Sequence, residues 1–195
     1  IPFACISPKG REGRIGVTLD EHDAVCGLME HLIALGHRRI AHVRGHPDHG
    51  ASEWRLAGYR TALRRAGLRY DPALVADGEF SFDSGLAAGR ELLALAERPT
   101  AIFAANDDMA AGVMRAASEL GLRVPRDVSV CGFDNTPISQ QIFPALTTVQ
   151  QPTRDMGQVA TVQLLNAIRD RSAGRMVRMP YALQLRQSTG PVPGA

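Results

Sequence analysis

Strand-type apolar runs alternate with segments of helical periodicity along the chain, and this alternation constrains the fold more than any other feature. A short apolar run predicts a strand at residues 40–44, and apolar residues at helical spacing predict a helix over residues 23–35 that ends at Gly36. The other predicted strands cover residues 3–7, 15–19, 74–76, 101–105, 128–132, 147–149 and 182–186, and the other predicted helices cover residues 54–66, 83–95, 109–120 and 154–168. Such alternation predicts an α/β fold with doubly wound parallel sheets.

Loops that follow the predicted strands are the places to look for a ligand site. In an open parallel sheet, ligands bind beyond the carboxyl ends of the strands, where loops carry polar groups and helix N-termini point toward the ligand. Five such segments lie at residues 45–55, 77–84, 106–108, 133–135 and 150–152. In the last three, Asn, Asp and Gln come directly after apolar runs, so we expect these loops to contact a polar small molecule.

Charge and cysteine content exclude several classes of protein. The formal net charge is +2, and the basic residues, all Arg except Lys9, form no continuous run, which argues against nucleic-acid binding by these residues. Cys5, Cys26 and Cys131 lie far apart in apolar stretches, which indicates free thiols and favours the cytoplasm. The sequence has no run of about 20 apolar residues that would predict a membrane span. We therefore expect no membrane partner.

Six phrases of the sequence form a recognisable set: HLIALGHRRI (31–40), RLAGYR (55–60), PTAIFAAND (99–107), VPRDVSVCGFD (124–134), PALTTVQQP (144–152) and RQST (186–189). They resemble the LacI/GalR repressors, whose sensor domains are built like periplasmic sugar-binding proteins. The phrases occur in order and at family spacing, which makes the resemblance specific. It implies a periplasmic-binding-protein-like fold of type I, with doubly wound sheets in two subdomains.

The resemblance also implies how the sensor is divided. Residues 1–22 and 153–175 belong to a first subdomain that is incomplete, and residues 23–152 and 176–195 form the second. The family's DNA-binding headpiece is absent from this sequence, so operator DNA would be bound only through that missing part. We therefore predict the effector-binding and dimerisation domain of a cytoplasmic transcriptional regulator, which forms a homodimer and senses a small polar ligand, a sugar or a related compound.

Arg55 and Asp134 are the strongest candidates for contacts to this effector. By resemblance, Arg55 matches the family's effector-contacting Arg, whose guanidinium can donate a fork of hydrogen bonds to hydroxyls or to a carboxylate. Asp134 matches the family's sugar- or base-binding Asp, and a carboxylate suits paired hydroxyls or N–H groups. The alternatives are a surface Arg in an Arg-rich helix for the first, and a helix cap for the second.

Asn106, Phe80 and Gln151 complete the predicted ligand-binding residues. The resemblance implies that Asn106 reaches the effector, while Asp107 is expected to cap the following helix or to brace the loop. Phe80 matches an aromatic residue that often stacks on the ligand ring, with a core Phe beneath a loop as the alternative. Gln151 lies at a predicted crossing between subdomains, where its amide either binds the ligand or stabilises the hinge.

No pattern in the sequence predicts catalysis, a cofactor or a metal site. The signatures of a nucleophile elbow, a dinucleotide-binding loop and a phosphate-binding loop are absent from it, so we predict that the protein is not an enzyme. His42, His46 and His49 fit no zinc spacing. Apolar positions in residues 109–120 and 138–143 are the predicted dimer surface. A solute-binding protein of a sugar transporter is the competing function, because it shares the fold and the cleft chemistry.

Overall fold

The computed structural model describes residues 2–8, 15–170 and 175–194. These residues contain six α-helices and nine strands. The strands are β1 (Cys5–Ile6), β2 (Gly16–Leu19), β3 (Ile40–Arg44), β4 (Val75–Asp77), β5 (Ala101–Ala104), β6 (Ser129–Asp134), β7 (Thr147–Gln150), β8 (Met176–Met179) and β9 (Ala182–Gln184). The helices are α1 (Glu21–Ala34), α2 (Gly50–Arg65), α3 (Phe82–Leu93), α4 (Asp107–Glu119), α5 (Ile138–Gln141) and α6 (Thr153–Asp170). Among the described residues, no helix combines the length and the apolar character that a bilayer span requires.

The strands form one small and one large sheet. The small sheet has the order β1-β2-β8 and is parallel, and the large sheet has the order β4-β3-β5-β6-β7-β9. The large sheet is parallel except for β9, which begins opposite Gln150, where β7 leaves the sheet, and therefore runs back along β7. The predicted α/β fold with doubly wound, mainly parallel sheets is confirmed. The antiparallel edge strand corrects the expectation that all strands are parallel.

Helices cover both faces of the large sheet, and side chains alternate between two core layers. On β5, Ile102 and Ala104 pack in the first layer, and Ala101 and Phe103 pack in the second. α3 and α4 cover the first layer, and α1 and α2 cover the second. All four of these β5 residues are fully buried. A ligand can therefore reach this sheet only at the ends of its strands.

Two glycines bring α3 and α4 close together beside the strand ends. A Cβ on Gly85 would lie 2.2 Å from the backbone oxygen of Met109, and a Cβ on Gly112 would lie 2.2 Å from that of Phe82. Glycine is required at both positions, because any side chain would collide with the backbone of the other helix. The N-terminal turns of the two helices, and the loops before them, are thereby held next to each other.

Helices α1 and α2 begin earlier than their apolar periodicity predicts. Asp20 is the N-cap of α1, and its Oδ1 accepts a hydrogen bond from the N–H of Asp23 at 3.0 Å. α2 begins at Gly50, because the hydroxyl of Ser52 donates to the carbonyl of His46 at 2.6 Å and fixes a first turn that contains no apolar stripe. The earlier starts place the first turns of both helices beside the strand ends.

The chain passes between the two sheets after β2, after β7 and after β8. β8 pairs along its whole length with β2, so residues 176–179 lie in the small sheet, whereas the sequence grouped them with residues 180–195. Two contacts join the first crossing to the third. Arg178 Nη1 lies 2.8 Å from Asp20 Oδ2, and the hydroxyl of Tyr181 donates to Asp23 Oδ2 at 2.7 Å.

Residues 186–192 run across one end of the large sheet. Ser188 is fully buried there, with its N–H donating to the Ala145 carbonyl at 3.0 Å and its carbonyl accepting from the Val130 N–H at 2.9 Å. Its hydroxyl donates to the Val130 carbonyl at 2.6 Å and accepts from the Thr147 N–H at 2.8 Å. This segment therefore ties β6 and β7 together.

Candidate functional site

Arg55 lies at the centre of the candidate site, on the second turn of α2. Its side chain is only 4% exposed, so the alternative of a surface Arg is wrong. Nε donates to Glu21 Oε2 at 2.8 Å, Nη2 faces Asp134 Oδ1 at 3.5 Å, and Nη1 donates to the Ala105 carbonyl. Each of the three guanidinium nitrogens therefore has an acceptor from the protein.

Two aromatic rings accompany this guanidinium. Its central carbon lies 3.8 Å from the centre of the Phe133 ring and 6.0 Å from the centre of the Phe80 ring. A cation over a ring face is stabilised by roughly 0.5–2 kcal/mol. Phe133 is fully buried on β6, so it supports the guanidinium from the side of the sheet. Phe133 could not be singled out from the sequence, because a Phe in an apolar strand is most simply a core residue.

Asp134, the last residue of β6, lies between Arg55 and Gln151. Its Oδ1 accepts a hydrogen bond from Gln151 Nε2 at 2.5 Å and faces Arg55 Nη2 at 3.5 Å. Its φ of 109° is unfavourable for a residue with a side chain, so the surrounding contacts hold the backbone there. Burial raises the pKa of Asp134, against the lowering effects of Arg55 and Gln151. The side chain of Asp134 is 24% exposed, so a ligand can reach it.

Asn106 is the N-cap of α4, a role that the sequence assigned to Asp107. Its Oδ1 accepts from the Met109 N–H at 2.9 Å, and its Nδ2 donates to the Phe80 carbonyl at 2.9 Å. The cap falls to Asn106 because its backbone is extended, with φ −148° and ψ 174°, as a capping residue requires. One amide hydrogen is left over for another acceptor. A contact between Asn106 and the effector stays a prediction.

Asp107 braces the loop, which was the second of its two expected roles. Its carboxylate is fully buried and accepts from the Thr136 N–H at 2.7 Å and from the Thr148 hydroxyl at 2.6 Å. Burial raises the pKa of Asp107 to about 6, although both threonines lower it through these hydrogen bonds. The start of α4 is thereby fixed to the loop after β6 and to β7.

Phe80 lies half-buried in the loop between β4 and α3. Its ring lies against Gly45, where a Cβ would come within 2.0 Å of the ring, so the ring can occupy this place only because residue 45 is glycine. The ring centre lies 5.4 Å from that of His49. One part of Phe80 packs against the first core layer, and the rest is open to solvent.

The structure brings all five predicted residues together at the carboxyl ends of the large sheet's strands. Three of them form one polar chain, Gln151–Asp134–Arg55, which Glu21 extends. The other two, Asn106 and Phe80, are hydrogen-bonded to each other. The centre of the Phe80 ring lies 6.0 Å from the central carbon of the guanidinium. Sequence reasoning missed Glu21. Its one signal was an acidic side chain beside the predicted crossing.

Among the described residues, no group of three or more potential ligands could hold a metal ion. His42 is fully buried in β3, with its ring stacked between Tyr59 at 5.2 Å and Phe103 at 4.7 Å between centroids. Its Nδ1 is hydrogen-bonded to the Phe103 carbonyl at 3.0 Å, and its Nε2 is buried without a partner. Burial lowers the pKa of His42 to about 4, so the ring is neutral at neutral pH.

Comparison with known proteins places this chain in a family. Residues 29–189 match the periplasmic binding protein-like domain. The HTH-type transcriptional repressor CytR of Escherichia coli (strain K12) is 38% identical over 178 residues, which cover 91% of this chain and 52% of the repressor. This chain belongs to the LacI/GalR family. The chain also matches the Catabolite control protein A of Priestia megaterium, of which it covers 53%. It therefore spans about half the length of both relatives.

Two solved LacI/GalR structures share the fold of the domain. A transcriptional regulator CelR–cellobiose complex has a TM-score of 0.89 at 37% identity, over 96% of this chain and 59% of that chain. The Lac repressor dimer bound to operator and the anti-inducer ONPF has a TM-score of 0.88 at 33% identity, over 97% of this chain and 66% of that chain. The similarity therefore extends over nearly the whole of this LacI/GalR domain.

The predicted dimer surface of this LacI/GalR domain is free only in part. Met109, Val113 and Met114 of α4 are buried within the chain, in the first core layer against α3. Because they are already covered, the prediction that the apolar positions of this helix form a dimer surface is wrong for them. In the segment 138–143, Phe143 is 96% exposed and is available to bury apolar area against a partner.

Proposed function

We propose that this chain is the effector-binding domain of a LacI/GalR-type transcriptional regulator and that it binds a sugar or a closely related polar ligand. The observation that carries the proposal is the buried Arg55, held between the carboxylates of Glu21 and Asp134 beside two aromatic rings. Acceptors, an anchored cation and a ring face in one place are the combination that a ring-shaped polyol requires. The proposal is one of binding and not of turnover.

One structural relative supports a sugar as the ligand. The CelR structure is described as a complex with cellobiose. In this chain, the open part of Phe80 would pack against the apolar face of a pyranose, and Asp134 would accept from its hydroxyls. The remaining amide hydrogen of Asn106 would donate to a further hydroxyl.

Gln151 connects the site to one of the passages between the two sheets. It follows β7 directly, and its amide is bonded to Asp134 in the structure. A ligand whose hydroxyls donate to Asp134 would compete with this amide for the carboxylate and shift the balance between open and closed arrangements of two subdomains. With β8 reassigned, the proposed first subdomain comprises residues 1–22 and 153–179, and the second comprises residues 23–152 and 180–195.

We propose that the full-length protein is a cytoplasmic homodimer. It would bind operator DNA through a part that lies outside these residues. CytR is named a transcriptional repressor of the HTH type, and the Lac repressor was solved as an operator-bound dimer. In this chain the basic residues form no continuous run, which supports a DNA contact elsewhere. Phe143 is the proposed centre of the dimer contact.

A thermal-shift screen of sugars and nucleosides on the protein expressed from its whole gene tests the binding proposal. A ligand at 100 times its Kd stabilises the folded state by about 2.7 kcal/mol, so a specific sugar should raise Tm by several degrees. Asp134→Ala should abolish this shift, whereas Asp83→Ala, at an exposed position of α3, should preserve it. A shift that survives in Asp134→Ala would refute the site.

Salt-sensitive binding to the DNA upstream of its own gene tests the regulatory half of the proposal. The sugar found in the screen should change the affinity for this DNA. If the protein binds the sugar but no such DNA, the competing function as the solute-binding protein of a transporter is favoured instead.

A further inference from the structure

Glu21, in the first turn of α1, forms an ion pair with the guanidinium of Arg55. Its side chain is 5% exposed, and its Oε2 accepts from Nε at 2.8 Å. The Ala105 carbonyl takes Nη1, and Asp134 faces Nη2. An Arg side chain recognises an anionic ligand by offering two parallel N–H groups to it. In this site one N–H of each guanidinium nitrogen is already directed at an acceptor of the protein, and Glu21 holds the Nε side of the guanidinium.

The side chains around Arg55 carry an excess of negative charge. With Arg55, Glu21 and Asp134 ionised, the group has one positive and two negative charges, a net charge of −1. Asp108 lies near enough that its charge, like that of Glu21, raises the pKa of Asp134. An anionic ligand would bring a further negative charge into a half-buried site, where screening by salt is weak.

We infer that Glu21 determines the specificity of this site by occupying and neutralising Arg55, so that the site accepts uncharged or cationic sugars and excludes sugar acids and sugar phosphates. The inference rests on the proposed function, because it concerns the ligand of the same site. Glu21 acts through Arg55 and is a positioning residue. The accessible carboxylate of Asp134 suits the hydroxyl and ammonium donors that remain as partners.

Pairs of sugars that differ in charge test the inference on the protein expressed from its whole gene. Calorimetry compares glucose with glucuronate and glucosamine, and galactose with galacturonate and galactosamine. For the neutral sugar that binds, the uronate should bind at least about tenfold more weakly, because its carboxylate meets like charge. The amino sugar should bind at least as tightly as the neutral one.

Three variants separate the charge of Glu21 from its shape. Glu21→Gln keeps the shape and an oxygen for Nε, and it should reduce the preference for the neutral sugar to about twofold or less by removing the like charge. Glu21→Asp keeps the charge and should keep the preference. Glu30→Gln removes the same charge further along α1, from an exposed side chain beside Arg65, and should leave the preference unchanged.

Each outcome decides a definite point. Wild-type protein that binds glucuronate or galacturonate as tightly as the neutral parent overturns the inference and leaves the proposed function standing. A folded Glu21→Gln protein with an unchanged preference also overturns it. If Glu21→Gln does not fold, the wild-type ratio and Glu21→Asp decide the question. If the thermal-shift screen and these pairs find no neutral or charged sugar that binds, the sugar ligand of the proposed function is overturned, and the inference with it.

Discussion

Asp107 should make the folded protein less stable as the pH rises from about 4 to 7. Burial raises the pKa of this carboxyl from 3.8 to about 6, even with hydrogen bonds from Thr136 and Thr148. The folded carboxyl holds its proton more tightly than the unfolded one. The free energy of unfolding attributable to Asp107 therefore falls as the pH rises through this interval. The rise of the pKa from 3.8 to about 6 corresponds to about 3 kcal/mol in total.

His42 acts in the opposite direction over an overlapping pH range. Burial lowers its pKa from 6.5 to about 4, so the folded protein prefers the neutral ring. The stability that His42 contributes is present at neutral pH and is lost as the pH falls from about 6.5 toward 4. This shift also corresponds to about 3 kcal/mol. In the wild-type protein the two effects largely offset each other, so the groups must be removed one at a time.

Urea unfolding of wild type and Asp107→Asn at about pH 4.5 and 7.5 isolates the carboxyl. Relative to the variant, wild type should lose about 2 kcal/mol of unfolding free energy between these pH values, because most of the difference in proton binding lies between them. Asp108→Asn removes the same formal charge from the next residue and controls for net charge. A wild-type-minus-variant difference that is constant within about 0.5 kcal/mol would refute the assignment of Asp107 as a buried, destabilising carboxylate. His42→Phe should show the reverse trend, with wild type losing about 2–3 kcal/mol relative to the variant on acidification.

Three further substitutions test the packing of the site and its partner surface. Arg55→Ala should cost about 3–5 kcal/mol in urea unfolding, because it leaves Glu21 buried without its ion pair, and adding Glu21→Ala should recover part of the loss; a cost below about 1 kcal/mol contradicts this. Gly45→Ala should weaken sugar binding as much as Phe80→Ala does by displacing the ring, and the double variant should be no worse than either; fully additive losses count against the contact. Phe143→Asp should shift the full-length protein from dimer to monomer in sedimentation velocity at micromolar concentration, and an unchanged dimer refutes Phe143 as the centre of the contact.

The order of strands and helices could be predicted because apolar periodicity reports which side of a segment is buried. β3 was predicted to the residue, since its run of buried side chains is bounded by polar ones. β8 was not predicted, because it is short, carries an Arg and owes its place to pairing with β2 near the other end of the chain. The short helix α5 is in none of the predicted helices, because its four residues leave no room for a helical period.

The place of the candidate site could be predicted, but its internal bonding could not. Position after a strand and family resemblance led to Arg55 and Asp134, which the structure brings into contact. The ion pair of Arg55 with Glu21 joins two helices, and an acidic residue in a first turn is already explained by the helix dipole. Asn106 and Asp107 are both capable of capping, and the backbone conformation that decides between them is set by the fold.

The pairing of β8 and β9 also determines the order in which the sheets can form during translation. β8 pairs beside β2 in the small sheet and β9 pairs beside β7 in the large one, so among the described residues neither sheet has all its strands until residues 176–184 have emerged. At about 5–20 residues per second, β2 waits on the order of ten seconds for its partner. During that interval its edge is open to chaperones and to neighbouring nascent chains, and a stall late in translation leaves both sheets unfinished at once.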